Sequence, residues 1–144
     1  MEQKLNVLVI DDEKELRDSL RQLLEKLGCA VAVAASAETG KEELRRFRYD
    51  AVFASLCLER FGGRDMARWT QKNVTGKTKF FITTGWQGDL EPEVLRSNFI
   101  NDVIRRPYNF NDLRHKVQEH LVRGSDSSAT DGKREQRPDI ASVK

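Results

Sequence analysis

The chain has 144 residues, of which 38% are hydrophobic, and its net charge is +2. The length predicts one domain with a real core plus a tail, and the hydrophobic content argues against wholesale disorder. The small net charge argues against nucleic-acid binding through this domain. No apolar run is long enough to span a bilayer and the first residues do not form a signal peptide, so we expect a cytoplasmic protein without membrane contact.

The first predicted elements are a strand over 5–10 and a helix over 13–27. The strand is a nearly continuous apolar run, as expected for a strand that is buried on both faces. The helix carries a stripe of leucines. Asp12 and Glu15 are predicted to form a capping box at its start, and Gly28 to end it.

The rest of the chain repeats this alternation of apolar runs and amphipathic segments. In order, we predict a strand over 29–35, a helix from Ser36 to 47, a strand over 51–56, a helix from the Gly62-Gly63 loop through Trp69, a strand over 79–83, a helix over 92–98, a strand over 103–105 and a helix over 111–122. Five such repeats predict an α/β fold, a doubly wound five-stranded parallel sheet between two helical layers.

The predicted site lies at the carboxyl ends of the strands, where strand order reverses. The first and third strands flank that reversal, which brings Asp11, Asp12 and Ser55 to one edge of the sheet. Helix capping by Asp12 is one reading of the acidic pair, but it leaves Asp11 unexplained. Two adjacent carboxylates also form a plausible half-site for Mg²⁺.

Four segments in this order resemble a known family: VLVIDDE, YDAVFAS-LCLERFGG, FFITTGW and DVIRRPYN. Together they resemble the receiver domain of bacterial two-component response regulators over about residues 4–123. The resemblance implies a flavodoxin-like (CheY-like) fold and a Mg²⁺ pocket in which a histidine kinase phosphorylates an Asp. A Thr and a Lys then read the phosphate. We therefore expect a receiver domain over 1–123 and a disordered tail or truncated linker over 124–144.

Carried over by position, several residues match the family's pocket. Asp11 and Asp12 match the acidic metal pair, and Cys57 falls where a backbone carbonyl binds the metal. Thr84 matches the switch threonine, although a polar residue closing a strand is the alternative. Gly63 matches the loop glycine, and Pro107 the proline of a cis turn.

Four positions depart from the family pattern. The phosphoacceptor position holds Ser55, and the basic position holds Arg106 instead of Lys. Val103 stands at the position of the family's switch aromatic, and Glu59 stands at the position of its loop proline. The resemblance is therefore to a degenerate member, with at most weak Mg²⁺ binding and no other cofactor.

These departures remove the pocket's usual chemistry. An Asp is ionised at neutral pH and needs no base, whereas a Ser hydroxyl does. His115 and His120 both fall on the last predicted helix and are expected to be solvated. Asp50 and Asp65 do not lie at a strand's carboxyl end, so neither replaces the acceptor.

Arg106 changes the charge of the pocket. Two carboxylates and one Arg leave a single negative charge without any metal. Because Arg can hold a carboxylate through two hydrogen bonds, we hypothesise that Arg106 pairs with Asp11 or Asp12 and largely replaces the metal. A solvent-facing Arg106 is the alternative.

The function that follows is a phosphorylation-independent pseudo-receiver, not an enzyme, that binds a signalling protein or histidine kinase, with a homodimer as a further option. Its predicted partner contacts are Trp86, Arg105 and Tyr108, with Trp86 packed on the fourth helix or movable in place of the switch aromatic. One alternative is a phosphotransfer protein with another nucleophile. Another is the N-terminal part of a DNA-binding regulator.

Overall fold

The computed structural model describes residues 4–58, 60–74, 77–90, 92–95, 98–121 and 135–136. Its strands are β1 (Asn6–Ile10), β2 (Ala30–Ala34), β3 (Phe47–Arg48), β4 (Ala51–Ser55), β5 (Lys79–Thr84), β6 (Asp102–Arg105) and β7 (Glu135–Gln136). Its helices are α1 (Lys14–Lys26), α2 (Ala37–Arg46), α3 (Gly63–Asn73), α4 (Pro92–Leu95) and α5 (Phe110–Leu121). None of the described helices is long and apolar enough to cross a membrane.

Five parallel strands form the main sheet in the order β2-β1-β4-β5-β6. The chain leaves β1 toward one edge and returns to the other side of β1 at β4, so strand order reverses between these two strands. The predicted doubly wound sheet is confirmed, and so is the position of its switch point.

The core has two halves, one on each face of the sheet, because successive strand residues point in opposite directions. Leu8 and Ile10 of β1 pack with buried side chains of α2 and α3. Val7 and Val9 pack with those of α1 and α5. Helices on both faces give the predicted three-layer arrangement.

The start of α1 corrects one prediction. The helix begins after Glu13, which makes no side-chain capping hydrogen bond, and the expected capping box of Asp12 and Glu15 is not formed. Instead the Glu13 amide donates to Oδ1 of Asp11 at 3.0 Å. The carboxylate at the strand end thus holds the amide of the residue that precedes the helix, and Asp12 is exposed.

Two other helix boundaries behave as predicted. Gly28 follows α1 with φ of +95°, a left-handed conformation that glycine adopts at little cost. Ser36 caps α2 by accepting a hydrogen bond from the Thr39 amide. Helix α3 begins at Gly63 as expected but continues past Trp69 to Asn73.

The segment assigned to a tail has one described element. Glu135–Gln136 pairs in parallel with Phe47–Arg48, which follows α2 directly. The division of the chain at residue 123 stays a prediction, since 122–134 lie outside the described residues.

Candidate functional site

The register of the sheet brings the predicted pocket residues to one edge. Ile10 pairs with Ala54, so Asp11 and Ser55 stand at the ends of adjacent strands. On the other side of β4, Ser55 pairs with Thr83, and the next residue along β5, Thr84, pairs with Arg105. The carboxyl edge therefore gathers Asp11, Ser55, Thr84 and, one residue beyond β6, Arg106.

Asp11 is the most constrained carboxylate of this edge. Asp11 is 5% exposed, and its backbone amide donates to the Ala34 carbonyl. The Arg17 guanidinium donates to the backbone carbonyl of Asp11. Burial raises the pKa of Asp11, against the hydrogen bond from the Glu13 amide and the positive charge of Arg106, which lower it. The ionised form of Asp11 is therefore energetically unfavourable in the folded protein.

Ser55 closes β4 and is 6% exposed. The Cys57 amide donates to Ser55 Oγ at 3.3 Å, so the hydroxyl stabilises the turn that follows β4. A Cβ on Gly63 would lie 2.5 Å from the Ser55 carbonyl oxygen, which shows how closely α3 approaches this strand end. Glu59 lies outside the described residues. Asp50 accepts from the Asn6 amide at 2.7 Å, a structural contact before the strand.

Thr84 is 3% exposed, and its hydroxyl is also engaged. The Trp86 amide donates to Thr84 Oγ1 at 3.0 Å. In this arrangement the threonine stabilises the loop that follows β5.

Further hydrogen bonds hold the same loop, 85–90. Arg105 Nη1 donates to the carbonyls of Trp86 and Gly88 at 2.9 and 2.8 Å. The Gln87 amide group donates to the carbonyls of Gly85 and Arg106. The carboxyl end of β6 and the loop after β5 are thereby tied together.

Arg106 does not form the hypothesised pair. Among the described residues, no ion pair joins Arg106 to Asp11 or Asp12. The guanidinium lies instead beside Gly85, where an added Cβ would be 3.5 Å from Nη2. Its charge still acts on Asp11 through space, so it counters the carboxylate without binding it. The Arg106–Pro107 peptide bond is cis, as predicted.

The predicted partner contacts differ in their surroundings. Trp86 is 58% exposed, and its indole N–H donates to the Asp89 carbonyl, with the ring beside Gly88. The Arg105 guanidinium is hydrogen-bonded to the loop 85–90. Tyr108 is half-buried in the core half under α1 and α5.

Tyr108 belongs with the pocket more than with a partner surface. Burial raises its pKa, Arg106 opposes that shift, and the negative charge of Asp11 adds to it. This proximity could not be read from the sequence, because Asp11 follows β1 and Tyr108 follows β6, two strands that are not neighbours in the sheet.

His120 corrects a further prediction, since it is not a solvated surface residue. Its Nε2 lies 2.9 Å from Oδ2 of Asp102, and its ring meets Phe81 edge-on at 5.3 Å between centroids. Lys116 binds the same Asp102 oxygen at 2.8 Å. Burial opposes ionisation of Asp102, but these hydrogen bonds and one from the Val103 amide lower its pKa overall. His115 is exposed as expected.

The donor set at the carboxyl edge fits Mg²⁺ only in part. Asp11, Asp12 and the carbonyl of Cys57 are oxygen ligands of the kind that Mg²⁺ accepts. The strand end between them carries a hydroxyl, and the cation of Arg106 acts on Asp11. Within the described part of the chain, three side-chain metal ligands come together elsewhere, at Asp102, Glu119 and His120, where Lys116 already occupies the carboxylate.

Comparisons with known proteins agree with this geometry. Residues 7–118 match the family described as response regulator receiver domain. The chain is 26% identical over 136 residues to the sensory transduction protein RegX3 of Mycolicibacterium smegmatis, a match that covers 92% of this chain and 59% of that protein. The chain thus spans about three fifths of the length of that relative.

Solved structures show the same fold. A CheY-like response regulator receiver domain protein from Methanospirillum hungatei superposes with a TM-score of 0.74 at 28% identity, over 83% of this chain and 94% of that one. A receiver domain protein from Clostridium thermocellum superposes with a TM-score of 0.72 at 27% identity, over 81% and 94%.

Proposed function

The chain belongs to the response regulator receiver domain family of two-component signalling, and we propose that it is a pseudo-receiver that acts without phosphorylation. It recognises a partner protein through its surface and is held in one conformation. It is not an enzyme in this proposal, and it works in the cytoplasm.

The observation that carries the proposal is Ser55 at the end of β4. Its hydroxyl accepts a hydrogen bond from its own loop. A Ser nucleophile needs a general base. His120, the one half-buried histidine of the described residues, is bound to Asp102 at the start of β6, whereas Ser55 stands at the end of β4. Phosphoryl transfer to this strand end therefore lacks both an ionised acceptor and a base.

The loop after β5 supports the proposal that the chain is held in one conformation. In a phosphorylation switch this loop must move when its threonine engages a phosphate. Here the Thr84 hydroxyl is engaged by the Trp86 amide, and Arg105 holds two carbonyls of the loop. Val103 is half-buried and has no ring to rotate. The bonds that define the present conformation are satisfied without a phosphate.

The charges of the pocket support weak metal binding. Mg²⁺ would be held by Asp11, Asp12 and the Cys57 carbonyl, where it would neutralise the two carboxylates. Arg106 already offsets part of that charge through space. We propose that the metal is dispensable for the fold and for partner recognition.

The partner is a signalling protein or a histidine kinase, and self-association is a further form of the same proposal. A second function is favoured by the length of the relatives. Since this chain spans 59% of a RegX3 sensory transduction protein, it is also proposed as the N-terminal part of a longer regulator. In that case the pseudo-receiver controls an output domain through the same surface.

Incubation with acetyl phosphate and Mg²⁺, followed by intact mass measurement, tests the proposal. The wild-type protein is expected to remain unmodified. An acid-labile adduct would contradict the pseudo-receiver and favour a phosphotransfer protein with another nucleophile. The variant Ser55→Ala is the matched control, since an adduct that persists in it identifies a different acceptor.

A further inference from the structure

The exposed side of α3 carries a concentration of positive charge that the whole-chain value hides. Segment 64–79 has five basic residues and one acidic residue, Asp65, whereas the complete chain has a net charge of only +2. The basic residues are Arg64, Arg68, Lys72, Lys77 and Lys79. The positive charge of the chain is thus concentrated in one segment, and the rest of the chain is net negative.

Three of these residues form a row. Arg64, Arg68 and Lys72 are spaced four apart on α3, so they lie on one side of the helix with about 6 Å between successive positions along its axis. Arg68 lies over the ring of Phe99, with 5.7 Å between the guanidinium carbon and the ring centroid. Phe99 in turn lines a cavity of about 270 Å³ together with Lys77 and Lys79.

The row ends at an apolar cavity. Arg64 lines a second cavity, of about 450 Å³, with Leu90, Val94 and the exposed Trp86. Two carboxylates, those of Asp65 and Asp89, also face this cavity. We call the basic row, the two lysines and this cavity the α3 surface.

Four cations of the α3 surface differ from Lys14 and Arg21 of α1. On α1, Lys14 pairs with Asp18 at 2.7 Å and Arg21 with Glu25 at 3.5 Å. Among the described residues, Arg68, Lys72, Lys77 and Lys79 take part in no ion pair. Like charges placed side by side without partners cost stability, so their arrangement points to a ligand that supplies the missing negative charge.

We propose that the α3 surface binds an acidic amphipathic segment of a partner protein. The carboxylates of this segment face the row of Arg64, Arg68 and Lys72, and one of its apolar side chains fills the cavity beside Trp86. Arginine suits this task because its fork binds a carboxylate through two hydrogen bonds. Cys57 also lines the cavity, whereas Asp11 and Ser55 do not, and the binding of the segment requires no phosphoryl group.

A protein segment fits this surface better than a nucleic acid. A phosphate backbone is uniformly negative, and Asp65 and Asp89 would repel it at the apolar end of the row. The walls formed by Leu90 and Val94 reward burial of an aliphatic side chain, which a nucleic acid does not have. The mixture of cations and apolar lining is typical of a protein interface.

The test uses a synthetic helical peptide with glutamates on one face and leucines on the other, titrated into the ¹⁵N-labelled full chain. Amide shifts are expected at α3, at 77–79 and at 85–90. The double variant Arg68→Glu/Lys72→Glu should weaken binding about tenfold or more. The matched variant Lys26→Glu/Arg114→Glu, which removes equal charge from exposed positions on α1 and α5, should bind within a factor of about two.

Two further probes separate the parts of the proposal. A peptide with serines in place of the leucines should bind more weakly, and Trp86→Ala should weaken only the leucine peptide. A thymidine oligonucleotide of equal charge should bind less tightly than the leucine peptide. Tighter oligonucleotide binding at the same amides, equal losses in both double variants, or no shifts at α3 in the wild-type protein would each overturn the proposal.

Discussion

Asp11 and Asp102 are both carboxylates at ends of strands in one sheet, and their surroundings act on them in opposite ways. Asp102 begins β6 and binds Lys116 and His120, which lowers its pKa despite partial burial. Asp11 follows β1, is almost fully buried, and its pKa is raised although Arg106 acts on it from a distance. Asp102 therefore stabilises the fold, whereas Asp11 is a charge that the fold tolerates. A tolerated charge is typical of a functional site.

The largest change is expected from restoring the missing chemistry beside Asp11. The double variant Ser55→Asp/Arg106→Lys supplies an ionised acceptor next to the acidic pair, and it should gain one phosphoryl group from acetyl phosphate and Mg²⁺. Intact mass measures the gain, which hydroxylamine should remove from an acyl phosphate. An unmodified double variant would show that Asp11 and Asp12 no longer form a working half-site.

Next in size is the loss of the paired carboxylate. Asp102→Asn is expected to lower the free energy of unfolding by about 1–2 kcal/mol at neutral pH. Because the folded pKa of Asp102 is lowered, its contribution is present above the ordinary Asp value and is lost as pH falls through the folded pKa. Urea unfolding at neutral and acidic pH measures both effects, with the exposed Asp65→Asn as control. Equal losses at both pH values would argue against the pairing.

The loop beside Asp11 should respond to Arg105→Ala. The variant removes two hydrogen bonds to the carbonyls of Trp86 and Gly88, at a cost of about 1 kcal/mol. Amide hydrogen exchange at 85–90 should become faster, while exchange in α1 stays unchanged. Unchanged exchange at this loop would mean that Arg105 does not hold it.

A small gain is expected at the tolerated charge. Asp11→Asn keeps an acceptor for the Glu13 amide and removes the buried charge, so the free energy of unfolding should rise by up to about 1 kcal/mol at neutral pH. Since the pKa of Asp11 is raised, the penalty is relieved as pH falls through that pKa, and the advantage of the variant should fade in acid. Asp12→Asn, at the exposed neighbour, should change little; a loss of stability in Asp11→Asn would reverse the contrast with Asp102.

The sequence was sufficient for the order of the elements and for the edge where the pocket lies. Continuous apolar runs and leucine stripes are local signals, and the switch point follows from their alternation. Features set by contacts between distant residues were out of reach. The capping box is not formed because the helix begins one residue later than the box requires, after Glu13, whose amide is bound by Asp11 at the strand end. His120 was misplaced because Asp102, its partner, is 18 residues away.

Arg106 shows a different limit. Its identity predicts a change in the pocket's charge, but the guanidinium lies beside Gly85, a position that no spacing rule describes. The basic row of α3, by contrast, could have been found from its spacing of four. The near-zero net charge concealed it.

We propose that this receiver keeps one conformation whether or not a phosphate is offered. Beryllium fluoride with Mg²⁺ forms a phosphoryl mimic on the acceptor Asp of a receiver, so the amide ¹H–¹⁵N spectrum of the wild-type chain should be compared with and without it. No shifts are expected at 84–90, in β6 or in α5. Saturable shifts across that loop and the α5 face would contradict it.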